Sequence, residues 1–173
     1  MKILIDARMY GPEHTGNGVY TMNLVENLAK IDTKNEYIIL LRRDKFNTLS
    51  FPPNWKKVET DFRHYTFTEQ FKLPFIISKF KPDIVHFPHF NVPLLYFGKY
   101  IVTIHDLIMH KSKGGEATVR PFPIYQIWRL GYYLSFAKAV LGSAKIVVPS
   151  NSIKKELIDF YKIDEKKVEV IYE

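Results

Sequence analysis

Apolar runs and amphipathic stretches alternate along the whole chain. Runs rich in β-branched and aliphatic residues predict seven strands, at Ile3–Ile5, Tyr37–Leu41, Lys57–Glu59, Asp83–His86, Tyr100–Ile104, Lys145–Val148 and Val168–Tyr172. Apolar positions at helical spacing predict four helices, at Val19–Ile31, Glu69–Phe80, Pro123–Leu141 and Ile153–Tyr161. This alternation predicts an α/β fold with a parallel sheet that helices cover on both faces.

Two segments between these elements predict loops. Phe46–Trp55 contains two adjacent prolines, and Lys111–Glu116 contains two adjacent glycines, which predict a mobile connection. Ser150 directly precedes the last predicted helix and is a good N-cap residue. The chain shows neither an internal repeat nor an inner boundary, so residues 1–173 are predicted to form one domain.

Three polar segments follow predicted strands. They are the glycine-containing segment at Gly16, the segment His86–Asn91, and the pair His105 and Asp106. In parallel α/β sheets, ligands bind outside the carboxyl ends of the strands. We therefore expect these segments to meet along one edge of the sheet and to form a ligand site there.

Gly16, Asn17 and Gly18 form a glycine loop before the first predicted helix. Glycines let the backbone approach a phosphate, and the start of a helix favours negative charge, so the segment predicts an anion site. Two other interpretations stay open. One is a simple connecting turn; the other is a dinucleotide site, although Thr21 stands where that fingerprint has its third glycine.

Several metal-binding residue types follow the fourth and fifth predicted strands: His86, His89, His105, Asp106 and His110. The first two histidines lie at a strand end and not on a helix face, so their rings need not converge on a metal. The alternative interpretation is a set of histidines hydrogen-bonded at strand ends, and we expect no metal. His105 is the best placed of them to reach a ligand.

The amino-acid composition limits the kinds of site and partner that the protein can have. Hydrophobic residues at 46% and charged residues at 25% are typical of a globular domain. The absence of cysteine excludes disulfides, thiolate zinc sites and thiol nucleophiles. A net charge of +7 predicts attraction to phosphorylated substrates, acidic membranes or nucleic acid. The early Asp6 argues against a secretory leader, so we expect a cytoplasmic protein.

The segment Pro121–Leu141 mixes aromatic and basic residues. This mixture suits a membrane interface or a single-stranded nucleic acid. Apolar residues occur nearly all round the predicted helix, however, and this is typical of a helix buried on most sides. We favour the second interpretation.

An ordered set of short motifs resembles the N-terminal half of glycosyltransferase family 4. The motifs are Asp6-Ala7-Arg8, Thr15–Tyr20, Pro82–His86, Val102–Leu107, Val148–Ser152 and Val168–Tyr172. The resemblance spans essentially the whole chain. It implies one Rossmann-like half of a GT-B fold, in which two such domains face each other across a cleft. It also implies transfer of a sugar from a nucleotide-sugar with retention of configuration and without a metal or other cofactor.

The resemblance assigns roles to individual residues. Gly16, Asn17 and Gly18 would lie against the donor diphosphate. His105 would face the donor sugar, and Asp106 would orient that catalytic site or the acceptor. The acceptor side would be lined by three further residues: Tyr10, His89 and Asn91.

The resemblance also implies partners. The nucleotide and most of the donor sugar would bind a C-terminal domain that is absent from this chain, so the chain alone is expected to be inactive. The acceptor would be a saccharide or a glycolipid used in polysaccharide biosynthesis. Peripheral contact with an anionic membrane fits the positive charge, whereas no nucleic-acid signature is present.

A rival hypothesis belongs to another class of protein. The chain would be a non-catalytic, Rossmann-like module that binds a nucleotide, a nucleic acid or a protein partner. The positive charge is compatible with it, but the order of the motifs favours the transferase.

Overall fold

The computed structural model describes residues 1–111 and 122–172. Most of the predicted mobile loop Lys111–Glu116, from residue 112 onward, lies outside these ranges.

Seven strands form one parallel sheet. In chain order, β1 to β7 are Lys2–Asp6, Glu36–Leu41, Trp55–Glu59, Ile84–Phe87, Tyr100–Thr103, Lys145–Val148 and Val168–Val170. Their order across the sheet is β3-β2-β1-β4-β5-β6-β7, and every neighbouring pair is parallel. The predicted parallel sheet is confirmed, with all seven strands within two residues of their expected positions.

The described part of the chain also contains six α-helices. In chain order, α1 to α6 are Thr15–Ile31, Arg43–Thr48, Phe67–Phe80, Ile108–Lys111, Phe122–Gly142 and Asn151–Tyr161. The four predicted helices correspond to α1, α3, α5 and α6. Ser150 caps α6 as expected, because its hydroxyl accepts a hydrogen bond from the backbone of Ile153.

The prediction of a loop over Phe46–Trp55 is wrong at its start. Residues 43–48 form the short helix α2, and Phe46 packs against the core cluster that contains Tyr37 and Trp55. A partly buried aromatic side chain therefore helps to stabilise a short helix that periodicity cannot show over six residues.

Alternate residues of the strands enter two separate cores. Leu4 and Ile38 point to one face, where they pack with Leu73 of α3 and Phe136 of α5. Ile5 and Ile39 belong to the opposite face, which packs with α1. The expectation of helices on both faces is thereby confirmed.

Helix α5 is less buried than expected. Its described side chains include the buried Tyr132 and Phe136, but Leu130 and Leu134 are exposed. The helix therefore covers the sheet with one side only. Apolar residues all round a helix indicated burial on most sides, and this prediction is wrong because no other described element covers the second side.

Helix α1 starts earlier than the pattern indicated. The prediction that residues 16–18 form a loop is wrong, because α1 begins at Thr15 and includes all three. Gly18 is buried, and its backbone carbonyl accepts a hydrogen bond from Gly11, which has a φ of 122°. A side chain at Gly18 would overlap the Gly11 carbonyl oxygen. The close approach between α1 and the loop after β1 therefore requires glycine.

We expect Gly18→Ala to cost about 1–3 kcal/mol of unfolding free energy, because backbone and not a flexible side chain must move. Gly16→Ala is the matched control, since a Cβ there meets nothing within 4 Å and alanine favours helix. Urea unfolding followed by circular dichroism measures both variants. Equal stability of the two variants would contradict the packing argument.

Candidate functional site

The site lies at the carboxyl edge of the sheet, between β1 and β4. The chain adds β2 and β3 on one side of β1, and β4 to β7 on the other. The helix that follows β1, α1, packs on one face of the sheet, and the helix that leads into β4, α3, packs on the other. The crevice at such a reversal of strand order is where ligands bind in open α/β sheets. The segments after β1, β4 and β5 meet here, as the sequence predicted.

Arg8 is the central side chain beneath this edge. It is fully buried, and it donates from Nε to Asp6 Oδ1 and from Nη2 to Asp6 Oδ2, each at 2.7 Å. Nη2 also donates to Glu69 Oε1 at 2.6 Å. The guanidinium group lies over the ring of Phe62, 5.0 Å from its centroid. Arg8 thereby joins β1 to the start of α3.

Glu69 extends the network to two further segments. Asn91 donates from Nδ2 to both carboxylate oxygens of Glu69 at 2.9 Å, and the backbone N–H of Tyr65 donates to Oε2 at 2.7 Å. Tyr65 has a φ of 60°, a conformation that costs a residue of this type about 1–3 kcal/mol. The network therefore fixes the segments before α3 and after β4 against β1.

In this network, ion pairs and hydrogen bonds together shift the pKa values more than burial does. Burial alone would raise the pKa of Asp6, but the charge and hydrogen bonds of Arg8 lower that pKa below its ordinary value. Burial would likewise lower the pKa of Arg8, whereas Asp6 and Glu69 raise it. Asp6 and Arg8 are therefore both ionised at neutral pH. One donor, Nη1 of Arg8, is buried without a hydrogen-bond partner.

Neutral histidines surround a small cavity above the network. The cavity measures about 10 Å³, which is room for one water molecule. Its lining comes from Asp6, Met9, Thr21, His64, Phe87, Pro88, His89 and Asn91. Burial lowers the pKa of His64 and of His89 to about 3, so both imidazoles are uncharged at neutral pH. The cavity is too small for a sugar, so a ligand must bind across the open edge.

Three side chains on the other side of this edge form a hydrogen-bonded row: His86, Thr103 and Tyr20. His86 Nε2 and the hydroxyl of Tyr20 each lie 3.0 Å from the hydroxyl of Thr103. Burial, with a smaller contribution from the charge of His105, lowers the pKa of His86 to about 4. Tyr20 also meets His105 edge-on, with ring centroids 4.8 Å apart. The row ties α1 to β4 and β5.

His105 is oriented from two directions. Its Nε2 lies 3.0 Å from the carbonyl oxygen of Pro88 and must be the donor, because a carbonyl can only accept. The ring is half-buried beside Tyr20, so it keeps contact with solvent at the edge. Asp106 is exposed, and its Oδ1 accepts a hydrogen bond from Ile108 at the start of α4. Asp106 thus has a local role at the start of helix α4, and its role at the catalytic site stays a prediction.

The N-terminus of α1 opens on the same edge. No side chain in the described part of the chain caps this helix. Gly16 is exposed, Asn17 is half-buried, and Thr21, one turn along the helix, lines the small cavity. Backbone N–H groups at such a terminus favour an anion.

The expected acceptor residues do not all lie together. His89 and Asn91 line the same cavity, but Asn91 is 5% exposed and gives its amide protons to Glu69. Tyr10 packs in the core on the α1 face and donates its hydroxyl to Glu26 at 2.7 Å. The structure thus gives Tyr10 a packing role, and the cavity lining does not include it.

Sequence reasoning missed three residues that build the site: His64, Tyr65 and Glu69. The pattern Thr66-x-x-Glu69 is a capping-box signature, which indicates only the start of a helix. Thr66 does cap α3, but the Glu69 side chain turns to Arg8 instead. No sequence signal pairs residues 61 positions apart.

Within residues 1–111 and 122–172, no three His, Asp or Glu side chains lie together as metal ligands. No helix in that part of the chain is long and apolar enough to cross a bilayer.

The fold and the edge site define a Rossmann-like α/β domain of the kind that forms one half of a GT-B glycosyltransferase. The model of Glycosyltransferase Family 4 matches residues 15–173. The chain therefore belongs to Glycosyltransferase Family 4, which confirms the resemblance carried by the motifs. A comparison with curated protein sequences gives no match.

Solved structures share the fold at low identity. Two variants of the wall teichoic acid polymerase TagF superpose with TM-scores of 0.56 and 0.55, at 12% and 11% identity. They cover 99% and 98% of this chain, which spans only 38% and 37% of theirs. A glycosyltransferase from Rickettsia africae ESF-5 has 19% identity and a TM-score of 0.47, over 99% of this chain and 42% of its own.

We expect Arg8→Lys to cost about 3–5 kcal/mol of unfolding free energy, because one ammonium cannot hold two buried carboxylates. Arg43→Lys is the matched control. Arg43 is exposed and pairs with Glu59, so its replacement should leave stability nearly unchanged. Urea unfolding at pH 7 measures both. A loss below about 1 kcal/mol for Arg8→Lys would contradict the role of the network.

The chain should lose stability as the pH falls from 6.5 toward 4. His86 titrates near 6.5 when unfolded but at about 4 when folded, so the unfolded state binds the extra proton in this window. His86→Gln stays neutral and should reduce the loss between pH 7 and 4.5 by on the order of 2 kcal/mol. Unfolding curves across this range provide the measurement. Parallel profiles for variant and parent would refute the prediction.

Proposed function

We propose that this chain is the N-terminal, acceptor-side domain of a retaining glycosyltransferase. The enzyme would transfer a hexose from a nucleotide-sugar to a saccharide or lipid-linked acceptor. The observation that carries the proposal is the placement of His105 and the uncapped start of α1 on one edge of the sheet. A sugar diphosphate requires both an anion site and a polar group beside the anomeric carbon.

The start of α1 supports binding of the donor diphosphate. Gly16 leaves open space at this terminus, and the helix dipole adds positive potential there. As the sugar–phosphate bond breaks, negative charge grows on the leaving diphosphate. A fixed dipole aimed at that charge stabilises the transition state more than the ground state.

His105 supports contact with the donor sugar. The Pro88 carbonyl and the Tyr20 ring hold the imidazole in one orientation, so little reorganisation is needed when a sugar arrives. We assign His105 a contact with a sugar hydroxyl that strengthens as the ring gains oxocarbenium character. The acceptor hydroxyl would then attack from the face that the diphosphate leaves.

The surface near His89 supports the acceptor assignment. His64 and His89 are neutral at pH 7 and can donate and accept hydrogen bonds with hydroxyl groups. Asn91, Glu69 and Arg8 act behind them as positioning residues. The open edge offers one wall of a cleft, and the nucleotide-binding C-terminal domain would provide the other.

Sugar transfer by the protein encoded by the whole gene tests the proposal, with a panel of nucleotide-sugars and saccharide or lipid-linked acceptors. We expect His105→Ala to lower kcat about 100-fold or more, with a smaller effect on the donor KM. Asp159→Asn, exposed on α6 and remote from the edge, is the control and should leave kcat unchanged. Full activity of His105→Ala would overturn the assignment.

The 173-residue chain assayed alone should give no multiple turnovers, because it holds one wall of the cleft. Repeated turnover by this chain would contradict the division of labour between two domains. Product whose anomeric configuration is inverted relative to the donor would overturn the retaining mechanism.

A further inference from the structure

Helix α3 has an unpartnered aromatic face. Phe67, Phe71 and Phe75 follow each other at four-residue intervals, so their side chains share one side of the helix. They are 86%, 65% and 62% exposed. At 1.5 Å per residue, the three rings span about 12 Å along the helix. The opposite side of α3 contributes Leu73 and Ile77 to the core.

A neighbouring loop continues this surface. Leu94, Leu95 and Phe97 are also exposed, and Phe97 reaches 82%. The loop is held against α3, because Gln70 accepts a hydrogen bond from the backbone of Leu94. A groove of about 420 Å³ separates Phe75 from Leu95 and Phe97. We call Phe67, Phe71, Phe75, Leu94, Leu95 and Phe97 the α3 apolar face.

The exposed charges on α3, at its end and on the neighbouring loop are all positive. In residues 67–81 and 92–99, the exposed charged side chains are Lys72, Lys79, Lys81 and Lys99. The one acid in these segments, Glu69, is buried beneath α3 in its pair with Arg8. The ammonium of Lys79 lies 4.4 Å from the ring centroid of Phe75, and that of Lys138 lies 4.5 Å from the centroid of Phe97. Apolar rings and cations are therefore interleaved.

We propose that the α3 apolar face docks on the surface of an anionic lipid bilayer. Aromatic side chains partition into the boundary between headgroups and acyl chains, while lysines beside them reach anionic headgroups. A second copy of this chain fits less well, because two such faces would bring eight or more like charges together. The lysines therefore favour a partner that carries negative charge, and the aromatic rings favour a partner with an apolar region. An anionic bilayer has both properties.

The docking proposal stands independently of the proposed chemistry, since vesicle binding requires neither donor nor acceptor. One consequence does rest on the proposed function. Phe67 begins the helix directly after Tyr65 and Thr66, which border the edge site. Docking would therefore bring the acceptor side of the cleft close to the membrane, where a lipid-linked acceptor would be held.

Vesicle flotation of the 173-residue chain tests the proposal. Phosphatidylcholine vesicles with 0–40% phosphatidylglycerol serve as the probe. We expect the bound fraction to rise with phosphatidylglycerol content and to fall with added salt. The triple variant Phe67→Ser/Phe71→Ser/Phe75→Ser should lose at least tenfold in partition coefficient. Lys72→Gln/Lys79→Gln should lose about fivefold per charge removed.

Matched controls come from the end of α1 and the turn that follows it. Ile31→Ser replaces a side chain that is 77% exposed on another helix, and Lys30→Gln/Lys34→Gln removes two exposed lysines. Both should bind vesicles like the parent. Thermal unfolding checks that each variant is folded.

Three outcomes would overturn the proposal. The first is equal binding to neutral and anionic vesicles, and the second is equal loss in the α1 controls. The third is no vesicle binding together with concentration-dependent dimers that Phe71→Ser disrupts in sedimentation velocity, which would assign the face to self-association. A failed sugar-transfer assay with intact vesicle binding would count against the proposed function alone.

Discussion

The candidate site depends on the buried ion pairs of Arg8. A guanidinium enclosed without solvent is stable only because Asp6 and Glu69 neutralise it and Asn91 completes the hydrogen bonds of Glu69. These partners come from β1, α3 and the segment after β4. One arginine thereby fixes the relative positions of three segments that carry the polar groups of the edge.

Three histidines at the edge are uncharged because they are buried. His64, His89 and His86 are held in surroundings where burial lowers their pKa, so the edge above Arg8 offers neutral hydrogen-bonding groups. Positive potential comes instead from the start of α1. The two sides of the edge therefore differ: one offers neutral hydrogen-bonding groups, and the other offers the partial positive charge of a helix N-terminus.

The same helix serves the interior and the exterior of the domain. The buried side of α3 supplies Glu69 to the Arg8 network and Leu73 to the core, whereas its other side exposes three phenylalanines. The arrangement of residues around α3 therefore joins the Arg8 network, on its buried side, to the α3 apolar face on its exposed side.

The sequence by itself determined the order of strands and helices along the chain, the parallel sheet and the edge at which polar segments meet. These features depend on local periodicity, which a chain expresses without tertiary contacts. Tertiary structure alone decided that Glu69 pairs with Arg8, that Tyr10 packs inward against Glu26, and that Gly18 lies within a helix against Gly11. Each of these contacts joins residues that folding brings together, and each depends on burial and distance, which periodicity does not encode.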